Sequence, residues 1–160
     1  MGINELSMRL WRERELLELL LFKLEEQELL LAAGRSRWTQ FASREIEQVL
    51  ETMRTEGIAR VVEVEAVAEQ WGAPEGAGIR DLIAHAPEDA WREVLTDHLS
   101  AMTALTDEIR RLRDTNTEQL RAVMRATQET IAGFGDDAGE YNTQGGRTRD
   151  DSARIIDTEM

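Results

Sequence analysis

The feature that most constrains this chain is an uninterrupted helix-forming stretch near its N-terminus, residues 6–33. It contains neither Gly nor Pro and consists largely of Leu and Glu, which both favour helices. At about 100° per residue, one broad face collects Leu6, Leu10, Leu17, Leu20, Leu21, Leu24 and Leu31. A second, narrower apolar stripe contains Trp11, Phe22 and Leu29. A helix with two stripes must be covered on two sides, either by two other helices of this chain or by one helix and a partner.

The composition favours an all-α fold. The chain has 160 residues, enough for one domain with a moderate core, and only 5% of them are aromatic. Leu, Glu, Arg and Ala recur at helical spacing, which is typical of long helices or coiled coils rather than sheets. We therefore expect a long antiparallel helical hairpin or three-helix bundle with coiled-coil character and a flexible C-terminal tail.

Charge and cysteine content restrict the function and the compartment. The 19 basic and 32 acidic residues give a net charge of −13, which repels phosphate backbones and anionic lipids. We therefore expect no nucleic-acid partner and no membrane insertion. The absence of cysteine excludes disulfides and thiolate chemistry and suits a reducing cytosol. No signal-peptide pattern is present at the N-terminus, so the expected localisation is cytoplasmic.

Capping residues and glycines divide the chain into helices. Helix 1 is predicted at about 5–33, starting near Asn4 or Ser7 and stopping at Gly34. Helix 2 is predicted at about 38–71, weakened at Gly57, and the Gly-rich stretch 72–78 breaks the chain after it. A short helix at about 79–85 and helix 3 at about 88–133, with Pro87 at its first turn, complete a domain at 1–134. The remainder, 135–160, is acidic, poor in apolar residues and predicted to be mostly disordered.

Helix 3 has the 4-3-4-3 spacing of a coiled-coil seam. The seam residues are Trp91, Leu95, His98, Met102, Leu105, Ile109, Leu112 and Asn116. A polar residue at a seam position usually fixes register at some cost in stability, and we assign that role to Asn116. His98, on the same seam, is interpreted as a hydrogen-bonded packing residue rather than a ligand.

The predicted lengths leave part of helix 3 without a partner. At 1.5 Å per residue the three long helices span roughly 40, 50 and 65 Å, so helix 3 would exceed the others by roughly 15–25 Å. An apolar stripe continues along this excess length through Leu120, Val123, Met124, Thr127, Ile131 and Phe134. An uncovered apolar stripe is typical of an oligomer interface or a partner site.

No enzyme signature, metal-ligand spacing or cofactor motif stands out. Asp136, Asp137 and Glu140 lack the spacing of a calcium loop, and the glycines of 133–146 do not follow a strand as a phosphate loop requires. We therefore expect no catalytic residues, no metal and no cofactor. Tyr141, the only tyrosine, lies in a polar segment and is either a solvent-exposed ring or an aromatic anchor for a partner.

Several segments together resemble the FlgN family. The first is LWRERELLELLLFKLEEQELLLAAGRSRW, followed by a Val-rich second helix, by APEDAWREVLTDHLSAMTALTDEI with Asn116 downstream, and by EYNTQGG. The resemblance covers residues 6–146. FlgN proteins are cytoplasmic chaperones of the bacterial flagellar type III export system. The resemblance implies a helical, non-enzymatic protein that binds the C-terminal segments of hook-associated junction proteins and delivers them to the export gate.

The resemblance also implies roles for particular residues. The Tyr141 segment matches the part of the family associated with docking on the export gate. The stripe on helix 3 is the predicted client-binding surface, in a monomer or weak dimer. The alternative is a structural or scaffolding coiled coil, in which this stripe and that of Trp11, Phe22 and Leu29 pair with another copy of the chain.

Overall fold

The computed structural model of the protein describes residues 2–140, and its side chains through residue 136. Four helices follow one another: α1 (Ile3–Ala32), α2 (Ser36–Trp71), α3 (Ile79–His85) and α4 (Asp89–Glu140). No strand occurs among residues 2–140, and the all-α prediction is confirmed. The chain divides into two compact units, Met1–Thr117 and a second that begins at Glu118.

Inter-helix pairs define the direction of each helix in the first unit. Lys23 of α1 contacts Glu45 of α2 at 2.7 Å, and nearer the start of α1 Glu13 contacts Arg60 at 3.1 Å, so α1 and α2 are antiparallel. Ser7 of α1 contacts His98 of α4, and Gln27 contacts Asn116, so these two helices run in the same direction. The first unit is therefore an up-down-up three-helix bundle, which confirms the predicted antiparallel arrangement.

The core of the first unit lies along the Leu-rich face of α1. One cluster contains Leu6, Leu10, Val64, Val67, Ala68, Ala77, Ile79, Leu82 and Leu95. A second cluster contains Leu20, Leu24, Val49 and Leu112. Both include side chains of α1, α2 and α4, because the 3.6-residue repeat keeps each apolar face on one side of its helix. The short helix α3 contributes Ile79 and Leu82 and closes one end of the core.

Glycines end α1 and α2 in the same way. Gly34 and Gly72 have φ of 65° and 67°, a left-handed conformation that costs a residue without a Cβ little. The amide of Gly34 donates to the Leu31 carbonyl and that of Arg35 to the Leu30 carbonyl, the paired hydrogen bonds of a Schellman motif. The predicted stop of helix 1 at Gly34 therefore has a clear physical basis.

Two predicted helix starts were wrong. α1 begins at Ile3, where the Glu5 carboxylate accepts a hydrogen bond from the Gly2 amide, so neither Asn4 nor Ser7 is the cap. Pro87 precedes α4 rather than lying in its first turn. Its ring instead favours the extended conformation of Ala86, which ends α3.

The predicted end of helix 3 was also wrong. α4 continues through Gly133 and Gly135 to Glu140, so residues 135–140 of the predicted tail are helical. Neither glycine has the positive φ that ends α1 and α2. A glycine inside a helix costs only about 1 kcal/mol relative to Ala and does not by itself terminate it. The rest of the predicted tail, residues 141–160, lies outside the described residues.

The second stripe of α1 is not covered within the described part of the chain. Trp11, Phe22 and Leu29 are all more than half exposed, although the Leu-rich face beside them is buried by α2 and α4. The two other long helices therefore cover one broad face of α1 and leave the narrower stripe open.

Candidate functional site

The predicted client-binding residues all lie on α4 in the second unit. At about 100° per residue the six positions fall within an arc of about 100°, so they form one stripe along the helix. Leu120 is partly exposed and Thr127 is exposed. The exposed fractions of the others are 39% for Val123, 61% for Met124, 66% for Ile131 and 70% for Phe134. We call these six residues the α4 stripe.

The chemistry of the α4 stripe is apolar throughout. The Thr127 hydroxyl donates to the Val123 carbonyl at 2.9 Å, so its polar atom is satisfied inside the helix and its methyl group remains for apolar contacts. Arg121, Arg125 and Glu129 are exposed elsewhere on the same segment. The segment is therefore amphipathic, and its apolar face is open among the described residues.

Asn116 lies in the buried seam of the first unit, as its spacing predicts. Its side chain is 1% exposed, and its amide nitrogen donates to the Leu24 carbonyl at 2.8 Å and to Gln27 Oε1 at 3.0 Å. Gln27 in turn donates to Ser43 Oγ of α2 at 3.1 Å. This chain of hydrogen bonds links all three long helices at one level. Its role in register remains our prediction, and Tyr141 lies outside the described residues.

An aromatic groove between α1 and α4 was not predicted. Its open volume is about 540 Å³, and it is lined by Ser7, Trp11, Trp91, Glu93, Val94, Asp97 and His98. Trp11 lies on the second stripe of α1, and Trp91 and His98 belong to the seam spacing of α4. The sequence predicts Trp11 on one helix and Trp91 and His98 on another, and only the parallel packing of α1 and α4 brings them together.

His98 connects this groove to the core. It is 1% exposed, and its ring packs against that of Trp11 in a T-shaped arrangement with 5.0 Å between centroids. The Arg14 guanidinium, which can only donate, lies 3.5 Å from Nδ1, and the Ser7 hydroxyl lies 3.5 Å from Nε2. Burial lowers the pKa of His98 and Arg14 lowers it further, while Asp97 opposes both. The hydrogen-bonded packing role predicted for His98 from the seam agrees with this geometry.

Other kinds of site are not seen within the described range. Side chains through residue 136 contain no group of three His, Cys, Asp or Glu residues able to hold a metal ion. Among residues 2–140, no helix is both long and apolar enough to cross a membrane.

The comparison with protein families decides the identity of the chain. The family described as FlgN protein matches residues 1–149, which is nearly the whole sequence. The chain belongs to the FlgN family. FlgN proteins are flagellar export chaperones, so this FlgN chain has a chaperone role in flagellar assembly. No curated protein and no solved structure matches the chain significantly.

Proposed function

We propose that the α4 stripe binds C-terminal segments of hook-associated junction proteins in the cytoplasm, and that the chain then delivers these clients to the export gate. The observation that carries the proposal is that five stripe residues are exposed, and Leu120 partly exposed, on one face of α4. Membership of the FlgN family supplies the class of partner. Binding that keeps a client unassembled requires no catalysis, and the proposed function is non-enzymatic.

The stripe suits an amphipathic helix as its ligand. A client helix with apolar residues at i, i+3, i+4 and i+7 presents an apolar face of matching width. Each stripe side chain that becomes fully buried contributes roughly 1.5–3 kcal/mol, partly offset by ordering of the client segment. Met124 is unbranched and adaptable, which favours acceptance of more than one client sequence.

Aspartates on the stripe test this proposal. The variant V123D/I131D/F134D should lose co-purification with a junction protein and retain the circular dichroism spectrum of the wild type. The matched control, A122D/A126D/A132D, adds the same charge on other sides of the helix, at residues that are also exposed. Equal client binding by both variants contradicts the proposal.

Docking on the export gate is proposed for Tyr141, supported by the local sequence EYNTQGG. Tyr141→Ala should weaken pull-down of the gate and leave client binding unchanged, whereas Tyr141→Phe, which keeps the ring, should retain part of the gate binding. Unchanged gate binding by Tyr141→Ala would end this assignment.

A second candidate function is a homo-oligomeric scaffold. The exposed stripe of Trp11, Phe22 and Leu29 favours it, because a second copy could cover this face. Size-exclusion chromatography with light scattering separates the two candidates. A monomer that forms a 1:1 complex with client supports the chaperone, and a dimer that persists at all concentrations and with client present supports the scaffold.

A further inference from the structure

An exposed aromatic pair lies in the first turns of α2, directly after the α1–α2 connection. Trp38 and Phe41 are 43% and 54% exposed, and their ring centroids are 5.7 Å apart. Thr39 and Ala42, which alternate with them, are buried. Thr39 and Ala42 therefore pack this part of α2 against the bundle, and the rings of Trp38 and Phe41 lie on the outer side of the helix.

Two arginines lie close to these rings, and a third precedes them at the connection. The Arg37 guanidinium lies 4.6 Å from the Trp38 ring centroid, and that of Arg44 lies 5.8 Å from the Phe41 centroid. Arg35, at the connection itself, is exposed. None of the three forms an ion pair within the described residues. We call Arg35, Arg37, Trp38, Phe41 and Arg44 the aromatic–arginine patch.

The patch is an exception in a strongly acidic protein. The chain has 32 acidic and 19 basic residues, yet no acidic residue occurs between Glu28 and Glu45. The first turn of α2 also has no acidic residue and no side-chain cap. The positive end of the helix dipole therefore adds to the positive potential of the three arginines.

We propose that the aromatic–arginine patch binds an acidic segment of a second protein that carries an apolar or aromatic anchor beside its carboxylates. The unpaired guanidiniums match carboxylates in charge and can bind them in a bidentate manner. The Trp38–Phe41 pair offers the apolar contact, and Trp and Arg are the residues that most often dominate protein interfaces. A nucleic acid or an anionic membrane is an extended polyanion and would be repelled by the net charge of −13 of the whole chain. A short acidic segment can contact the patch alone. The patch shares no residue with the α4 stripe, and its binding of an acidic segment does not depend on the proposed client binding.

A displayed library of random 12-residue peptides provides the probe. The full chain is the bait, and a full chain carrying R37E and W38A serves for counter-selection. Peptides that bind only the wild type should be enriched in Asp and Glu together with Leu, Phe or Trp. Their affinity, measured by fluorescence anisotropy, should fall at least ten-fold in R37E and in W38A and should weaken with added salt.

Two variants elsewhere on the protein are the matched controls. Phe22 is an exposed ring with Lys23 5.4 Å from its centroid, and Arg80 is an exposed arginine without an ion pair among the described residues. F22A and R80E should therefore keep wild-type affinity for the selected peptides. A circular dichroism melt of each variant should match the wild type, since Arg37 and Trp38 are exposed.

Several results would overturn the proposal. One is that no selected peptide depends on the patch; another is that the patch-dependent peptides are neutral or basic. A third is tighter patch-dependent binding of a single-stranded 12-nucleotide DNA, or of vesicles rich in phosphatidylglycerol, than of the acidic peptides. If the α4 stripe proved not to bind a client, the measured binding of peptides, DNA and vesicles to the patch would be unaffected.

Discussion

Asn116 of α4 donates a hydrogen bond to Gln27 of α1 at 3.0 Å, inside a seam where both side chains are buried. Replacing Asn116 with Leu leaves Gln27 Oε1 without this donor, and the free energy of unfolding should fall by about 1–3 kcal/mol. The double variant N116L/Q27L removes both partners and should recover part of that loss. Urea unfolding of the two single variants and the double variant measures the coupling, and purely additive losses would contradict it.

Arg60 stabilises a buried carboxylate at the interface between α1 and α2. Its Nε lies 3.1 Å from Glu13 Oε1, and Glu63 beside Arg9 is also buried. R60M should lower the free energy of unfolding at pH 7 by about 1–3 kcal/mol, because the Glu13 charge loses its nearest partner. The control R54M breaks an exposed pair with Glu51 and should cost at most about 0.5 kcal/mol.

The Glu13–Arg60 pair also predicts how the loss of stability in R60M depends on pH. Burial raises the pKa of Glu13 above its ordinary value of 4.5, Arg60 opposes this rise, and Glu56 adds to it. The folded protein thus binds the Glu13 proton more tightly than the unfolded chain, so this group's contribution to stability falls as pH rises above 4.5. Without Arg60 the pKa rises further, and urea unfolding should show a smaller R60M defect near pH 4.5 than at pH 7. An equal defect at both would contradict the account.

The buried His98 predicts a second dependence of stability on pH, opposite in sign to that of Glu13. Its pKa is lowered from the ordinary 6.5, chiefly by burial, so the unfolded chain takes up a proton more readily than the folded protein. Stability should therefore fall as pH drops below 6.5 toward the folded pKa, and H98Q should remove this part of the slope. Thermal melts between pH 5 and pH 8 measure it. A slope that H98Q leaves unchanged would contradict this account.

Two glycines, one inside α2 and one directly after it, should respond in opposite ways to alanine. Gly57 lies inside the helix, and a Cβ placed there would meet nothing within 4 Å. G57A should stabilise the protein by up to about 1 kcal/mol. Gly72 has a φ of 67°, so G72A should destabilise it by roughly 1 kcal/mol through backbone strain. Chemical denaturation of both variants would contradict this interpretation if the two shifts had the same sign.

The sequence predicted the fold well because helical periodicity and glycine caps are local signals. The seam from Trp91 to Asn116, the Leu-rich face of α1 and the stop at Gly34 each depend on residues within a few turns of one another. The prediction of the end of α4 was wrong because glycine is only a weak helix breaker. The prediction of the start of α1 was wrong because the Glu5 carboxylate, rather than an N-cap side chain, accepts the hydrogen bond of the first amide.

The surfaces were less predictable than the fold. Periodicity identified the α4 stripe, because all its residues lie on one helix. It could not show that Trp11 and Trp91 line one groove, since that requires the parallel register of α1 and α4. It also did not indicate the aromatic–arginine patch, because helix 2 is predicted only from about residue 38, whereas α2 begins at Ser36 and includes Arg37.

Calorimetric titration of the full chain with the C-terminal peptide of a junction protein tests the central claim most directly. The account predicts a 1:1 complex with a dissociation constant between about 10 nM and a few μM. It also predicts at least a hundred-fold weaker binding to V123D/I131D/F134D and wild-type binding to A122D/A126D/A132D. Wild-type affinity for the stripe variant, or no binding of any junction-protein peptide to the wild type, would contradict the assignment of the α4 stripe as the client-binding surface.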